Sequence, residues 1–414
     1  MTRTTPMTIA LCLPAMLFAA IEPLAPVDGV TVPLVPDAQK KVMDLPTRQE
    51  RIELLQWDRK NGKKIRHDPY WRKARPLVLE LKTTAGENGP WKIQIGKRAD
   101  LSDARTWYVK ESKTDKATGR EESKSKAKRE RARIEVPRAN LEIATRYYWK
   151  VSCRGRCGFG CHRKHGCEAC KRMVETPVSS FVTEDRAPRW IALEGRVENV
   201  RDFGGRIGRD GRRIRQGLAY RGQGLNDNSV TGEVQGRSRL MVEDVKYLKE
   251  TLGIRTDLDL RGIGETADLQ ESPLGVGVAF VRCPSQAYKG IFSDDGKKVM
   301  AKNFRLFCDR KNYPIYFHCI GGADRTGSLA YVMNGVLGVS LHEAETDWES
   351  TFYPRIPDEN PDPEFWCRAS HFDVGLAKYG DEKTSWNDRV VLYLKDCGIT
   401  DDEIAAFREI MLEK

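Results

Sequence analysis

The sequence predicts an α/β domain, with a central, mostly parallel sheet flanked by helices, preceded by a smaller β-sandwich. Three observations carry this. The chain has 414 residues, more than one ordinary hydrophobic core accommodates. From about Arg75 to Thr183 short strand-like runs alternate with turns. Beyond Trp190, apolar strands alternate with segments of helical spacing, the pattern of parallel strands joined by crossover helices.

The N-terminus reads MTRTTPMTIALCLPAMLFAAIEPLAP, in which Arg3 precedes an apolar run from Met7 to Ala20 that gives way to small and polar residues. This is the layout of a secretory signal peptide, assigned to residues 1–25 with cleavage near Ala20 or Ala25. The run is too short for a permanent anchor, so the expectation is an exported protein, periplasmic or extracellular, with no transmembrane anchor. Residues 26–74 read as an N-terminal extension.

Within 75–184 the strand-like runs are PLVLELK, WKIQIG, TWYVK, RARIEV, RYYWKVSC and SSFVT. Two insertions interrupt them. The first, Lys110 to Arg133, is nearly all charged and small residues, too poor in apolar groups to pack. It lacks the interleaved aromatics that a nucleic-acid surface would use, and the overall charge of +11 is spread along the chain; nucleic acid is not expected as a partner. The second holds Cys153, Cys157, Cys161, Cys167 and Cys170, with His162 and His165 between them. In an exported chain, disulfides are the default reading and zinc the alternative. The YYWKV and SSFVT runs resemble the last strands of a fibronectin type III-like domain, a module that names no activity by itself.

In the second domain, 190–414, the stretches YLKETLGIRTDLDLRG, GVAFVRCP and YPIYFHC supply apolar strands, and SVTGEVQGRSRLMVEDVKYLKETLG, SLAYVMNGVLGVSLHEAETDWES and NDRVVLYLKDCGITDDEIAAFREIML carry helical spacing. Cys283, Cys308, Cys367 and Cys397 read as core or disulfide residues.

The chemistry lies in HCIGGADRTG, His318 to Gly327. A buried strand ends at Cys319 and a helix begins near Arg325, so the loop between them sits where unpaired N–H groups and the helix dipole attract an anion. Gly321 and Gly322 let the backbone curl around it, and Ile320, Ala323 and Asp324 complete the cradle. A cysteine at its base is favoured as a thiolate, hence as a nucleophile. Arg325 can grip two phosphate oxygens in a fork. Thr326 can donate to the sulfur, and His318 orients the loop from beneath.

Cys-x5-Arg followed by Thr-Gly resembles the loop of the cysteine-dependent tyrosine phosphatases, in particular the bacterial tyrosine and dual-specificity branch with an aspartate before the arginine. Asn199 to Asn226 and Leu252 to Gly262 resemble that branch's opening segment and its first core strand with an arginine turn. The resemblance implies catalysis by Cys319 and Arg325 through a cysteinyl-phosphate, with Asp324 as general acid and then base, Asp259 and Arg261 in support, and no cofactor or metal. The stretch VRCPSQAYKG, where many relatives carry the acid, has no carboxylate. Asp259 is the second candidate for the acid, and Asp294 with Asp295 the third. Ala323 stands where the branch usually has a lysine linked to phosphoinositide activity; Arg206, Arg209, Arg212, Arg213 and Arg215 could compensate if they rimmed the pocket. The expected substrate is phosphotyrosine in protein, with dual-specificity or phosphoinositide activity open. The alternatives are an inositol-polyphosphate phosphatase and a catalytically weak phosphate-binding or adhesion protein.

Overall fold

The computed structural model describes residues 21–60, 74–83, 89–110, 131–154, 173–227, 238–266, 269–351 and 370–414. The chain divides into two compact units. The first comprises Met1–Val30, Leu77–Val136 and Arg146–Phe181; the second comprises Thr31–Pro76, Pro137–Thr145 and Val182–Lys414.

In chain order the strands before residue 200 are β1 (Ile21–Ala25), β2 (Val30–Val32), β3 (Leu77–Thr83), β4 (Trp91–Gly96), β5 (Arg105–Val109), β6 (Arg131–Val136), β7 (Arg146–Arg154), β8 (Met173–Glu175) and β9 (Ser179–Thr183). The first unit holds two sheets. One has the order β1-β3-β6, paired antiparallel. In the other, β9-β7-β4-β5, strand β4 lies antiparallel to both β7 and β5, and β8 adds to β7. Burial alternates along β3, β4, β6 and β7, so one face of each sheet is withdrawn from water. Leu79, Ile93, Ile134 and Trp149 are fully buried on those faces. All six runs expected as strands form strands, because their period-2 apolar pattern matches a half-buried pleat. The strands β1 and β8 were not expected. Strand β1 lies within the stretch assigned to the signal peptide and pairs with β3 from Ile21 to Ala25. The charged insertion and the cysteine cluster lie largely outside the described residues; Cys153 is buried in β7.

The second unit begins earlier than its sequence suggests. Helices α1 (Asp37–Met43) and α2 (Arg48–Lys60) come from the expected extension, yet Val35, Val42, Met43 and Ile52 join the main core. Arg51 is fully buried, its Nε donating to Glu349 at 2.6 Å and its Nη2 to Glu345 at 2.6 Å. A segment that supplies both the apolar contacts and the counter-charge of two buried carboxylates is part of the domain, not an appendage.

The central sheet has five strands in the order β10-β11-β14-β12-β13, namely β10 (Arg201–Asp202), β11 (Ala219–Gln223), β12 (Thr256–Asp259), β13 (Ala279–Arg282) and β14 (Ile315–Cys319). It is parallel from β11 to β13, and only β10 is antiparallel to its neighbour. Both faces are covered. Ile315, Phe317 and Cys319 of β14 face one core with helices α4 (Asp294–Phe307), α5 (Asp324–Val336), α6 (Leu341–Ser350), α8 (Trp386–Asp396) and α9 (Asp401–Met411), while Tyr316 faces a smaller core with Tyr220, Leu248 and Ile254. Helices α3 (Val242–Lys246) and α7 (Ser370–Leu376) also belong to this unit. The two long helical segments of the sequence each break into two, the first after α5 at Gly338, whose φ of +77° admits few side chains. Strand β11 was missed because AYRGQ carries Arg221 and Gly222 at its centre; the buried arginine is held there by a partner far along the chain.

Candidate active site

Strand β14 is buried throughout, which fixes Cys319 at its carboxyl end, paired in register with Gln223 of β11. Cys319 is only 2% exposed and in no disulfide. Cys283, Cys308 and Cys397 are likewise unbridged, which removes the disulfide reading for these three; Cys367 lies outside the described residues.

The loop from Cys319 to Arg325 is held from behind by its carbonyls. Gly224 N–H donates to the Ile320 carbonyl at 3.2 Å, Asn199 Nδ2 to that of Gly321 at 3.0 Å, and Arg221 Nη2 to that of Gly322 at 3.0 Å. A trans peptide points its N–H opposite to its C=O, so these anchors turn the amides of Gly321, Gly322 and Ala323 away from the scaffold. No acceptor takes those three N–H groups among the described residues. Gly322 has φ +67°, and a Cβ there would lie 2.2 Å from the Gly222 carbonyl oxygen, so the curl requires glycine. Helix α5 follows at once. Its N-cap, Ala323, offers no side-chain cap, whereas α4, α6, α8 and α9 are each capped by a serine or threonine. Loop amides and helix N-terminus together therefore leave uncommitted donors around one small volume.

Arg325 is preset by a residue the sequence did not point to. Glu265, from the turn after β12, receives Nη1 at 2.6 Å and Nη2 at 2.8 Å, and the Leu260 carbonyl lies 3.5 Å from Nη1. Arginine has five N–H donors, so Nε and the remaining Nη2 hydrogen stay available as a fork for two oxygens of an anion. The hydrogen bond from Arg325 is the main reason that the Glu265 carboxyl is held below its usual range.

Beneath the strand end, His318 is buried with Nε2 2.9 Å from Asp257. Burial works against its charged form, but Asp259 and Asp257 outweigh it and raise the pKa above the ordinary histidine value. Asp259, the second candidate acid, is buried and takes bonds from Arg261 Nε at 2.9 Å and Nη2 at 2.7 Å. Burial opposes its charge, yet His318 and Arg261 prevail and lower its pKa. A carboxylate so committed braces the arginine turn and makes a poor proton donor. Asp294 and Asp295 are exposed in the first turn of α4, and no contact links them to the loop. Asp324 is the first residue of α5, and the Tyr288 hydroxyl donates to its Oδ1. Thr326 is fully buried, and its Oγ1 has no partner among the described residues.

Behind Arg221 lies a charged cluster. Asp347 of α6 accepts from Arg201 Nε at 3.0 Å, Arg206 Nη2 at 2.9 Å and Arg221 Nη1 at 2.7 Å. All four side chains are at most 2% exposed. Burial disfavours the Asp347 carboxylate, but the three guanidiniums hold its pKa far below the usual range. The five arginines that could have rimmed the pocket have partners of their own. Arg206 is in this cluster, Arg213 pairs with Asp185 at 2.7 Å, Arg215 donates to the Glu409 and Ile410 carbonyls, and Arg209 and Arg212 flank Asp210. Sequence reasoning covered Asn199, Arg201 and Arg221 only as part of a resembling segment; Asp347, Glu265 and Tyr288 carried no signal.

Residues 191–413 match the family model described as "Tyrosine phosphatase family". A Cupriavidus necator protein, "Putative tyrosine-protein phosphatase", is 27% identical over 39% of this chain and 66% of its own length, so the chain spans just under two thirds of that relative. Among solved structures, the core catalytic domain of the PP-IP phosphatase Siw14 from S. cerevisiae is matched at 18% identity and TM-score 0.23, over 32% of this chain and 78% of that one. A second structure of the Siw14 catalytic core matches at 18% identity and TM-score 0.23, over 34% of this chain and 87% of that one. Among the described residues no helix is long and apolar enough to cross a membrane. With its family model covering more than half of its length, the chain belongs to the tyrosine phosphatase family.

Proposed function

We propose that this chain is an exported phosphatase that hydrolyses phosphotyrosine through a cysteinyl-phosphate at Cys319. The observation that carries the reading is the convergence on one cradle of three outward-anchored peptide units, the uncapped end of α5 and the free edge of Arg325, with Cys319 at its base. The phosphoryl group would lie among the amides of residues 320–325 with two oxygens on Arg325. The Cys319 sulfur attacks phosphorus, the bond to the leaving oxygen breaks, and Asp324 gives that oxygen its proton. Water then adds to phosphorus as Asp324 takes a proton from it, the S–P bond breaks, and phosphate leaves; the buried Thr326 hydroxyl, which has no partner among the described residues, would donate to the departing sulfur. No step calls for a metal.

Phosphotyrosine is favoured over inositol polyphosphates because Arg206, Arg213 and Arg215 are engaged elsewhere and give no basic rim. Dual-specificity and phosphoinositide turnover remain activities to assay. Export is supported by Arg3 and the apolar run to Ala20; cleavage after Ala20 would leave β1 whole, whereas cleavage after Ala25 would remove it. The two sheets of the first unit support a fibronectin type III-like sandwich acting as a spacer or attachment module.

The test is hydrolysis of an aryl phosphate, with chelator present, by wild type, Cys319→Ser and Asp324→Asn. Turnover by wild type and a loss of at least roughly 10⁴-fold in Cys319→Ser are expected. A wild type that binds phosphate analogues and turns nothing over would overturn the enzyme reading in favour of a binding protein.

A further inference from the structure

The segment from Val281 to Gly290 contains no carboxylate, yet it reaches the phosphate loop through Tyr288. The Tyr288 hydroxyl donates to Asp324 Oδ1. Its own amide donates to Ser328 Oγ at 3.1 Å, and the Ser328 hydroxyl donates to the Asp324 carbonyl at 2.8 Å. Its ring stands edge-on to Trp348, with centroids 5.6 Å apart. Tyr288 has φ +54°, a conformation that a bulky residue adopts only when its surroundings hold it there, and one that clusters at functional sites. Among the described residues Asp324 Oδ2 has no hydrogen-bond partner.

We propose that Tyr288 is a positioning residue for Asp324, fixing Oδ1 so that Oδ2 carries the proton in both steps. The proposal rests on the reading of Asp324 as the acid and base. In the first step the proton leaves Oδ2 for the departing oxygen, and the Tyr288 O–H bond stabilises the carboxylate that remains. In the second step Oδ2 takes the proton of the attacking water. Tyr288 keeps its own proton throughout; burial, with the Asp324 charge added, raises the phenol pKa well above its ordinary value. The other ionisable groups around Asp324 are Cys319 at the end of β14 and Arg325 beside it, the latter paired with Glu265. None of them is altered by Tyr288→Phe, which also keeps the ring against Trp348.

The experiment compares wild type, Tyr288→Phe, Asp324→Asn and the double variant on p-nitrophenyl phosphate, a good leaving group, and on an alkyl phosphate, a poor one. For Tyr288→Phe, kcat on the alkyl substrate should fall about tenfold with KM unchanged. Cysteinyl-phosphate formation from p-nitrophenyl phosphate, read in single turnover, should change little. The substitution should have no further effect in the Asp324→Asn background. If Asp324→Asn lowers kcat and steepens its leaving-group dependence while Tyr288→Phe leaves both untouched, the role of Tyr288 is overturned and that of Asp324 stands. If Asp324→Asn itself changes neither, the underlying assignment fails. An equal loss on both substrates with a lowered melting temperature would mark Tyr288 as merely structural and overturn the proposal.

Discussion

The two units bury different things. Among the described residues the β-sheet unit has no charged side chain in its buried set; its buried polar groups are Thr83, Ser152, Thr176, Ser179 and Ser180. The phosphatase unit buries Arg51, Arg189, Arg201, Arg206, Arg221 and Arg261, together with Asp202, Asp257, Asp259, His318, Asp347 and Glu349. Buried charge costs desolvation, and an apolar core of the same volume is often at least as stable. A fold that needs only stability can do without it, as the first unit does. In the second unit part of the buried charge stands behind the loop from Cys319 to Arg325, where Arg221, paired with Asp347, holds the Gly322 carbonyl. The contrast separates a scaffold from a site.

The sharpest way to break this comparison is Asp347→Asn. It leaves three buried guanidiniums without a counter-charge, so the phosphatase unit should lose about 3–5 kcal/mol in denaturant titration, together with phosphate affinity. The pH dependence has a definite sign. Asp347 is lowered in the folded state, so its contribution is present above the unfolded value of about 4 and is lost as the pH falls through the folded value. Wild type should therefore lose this contribution progressively as the pH falls from about 4 towards the folded value, and Asp347→Asn should lack it at every pH. In the β-sheet unit, Ile134→Ala should cost about 2–5 kcal/mol, yet leave kcat at wild-type level when assayed below its melting transition; a change in kcat would tie that unit to catalysis. Glu265→Gln should weaken the preset of Arg325 and raise KM for an aryl phosphate about tenfold. The smallest effect is expected from Arg212→Ala. Its exposed pairing with Asp210 is worth less than about 0.5 kcal/mol, and KM for multiply phosphorylated substrates should not move; a large rise would restore the basic rim.

Part of this was readable residue by residue. The phosphate loop is contiguous from Cys319 to Arg325, so its glycines, cysteine and arginine lie in view in one stretch. Six strands of the β-sheet unit were legible because each carries its own period-2 pattern, whereas β1 and β8 were not. The partners that complete the site were not. Arg221 and Asp347 are 126 positions apart, Arg325 and Glu265 60, and Tyr288 and Asp324 36. None belongs to a local pattern, and the helices of residues 31–60 looked like an appendage because the carboxylates that pair Arg51 lie nearly 300 residues on.

The sequence by itself determined most of the regular elements and the glycine-rich loop with its cysteine and arginine, because local periodicity and a short motif depend only on near neighbours. The tertiary structure alone decided which charges face one another. It committed Asp259 to Arg261, drew Arg206 onto Asp347 and set Tyr288 against Asp324. Ion pairs and hydrogen bonds act over a few ångströms in space, and only a finished packing says which distant residues come within that range.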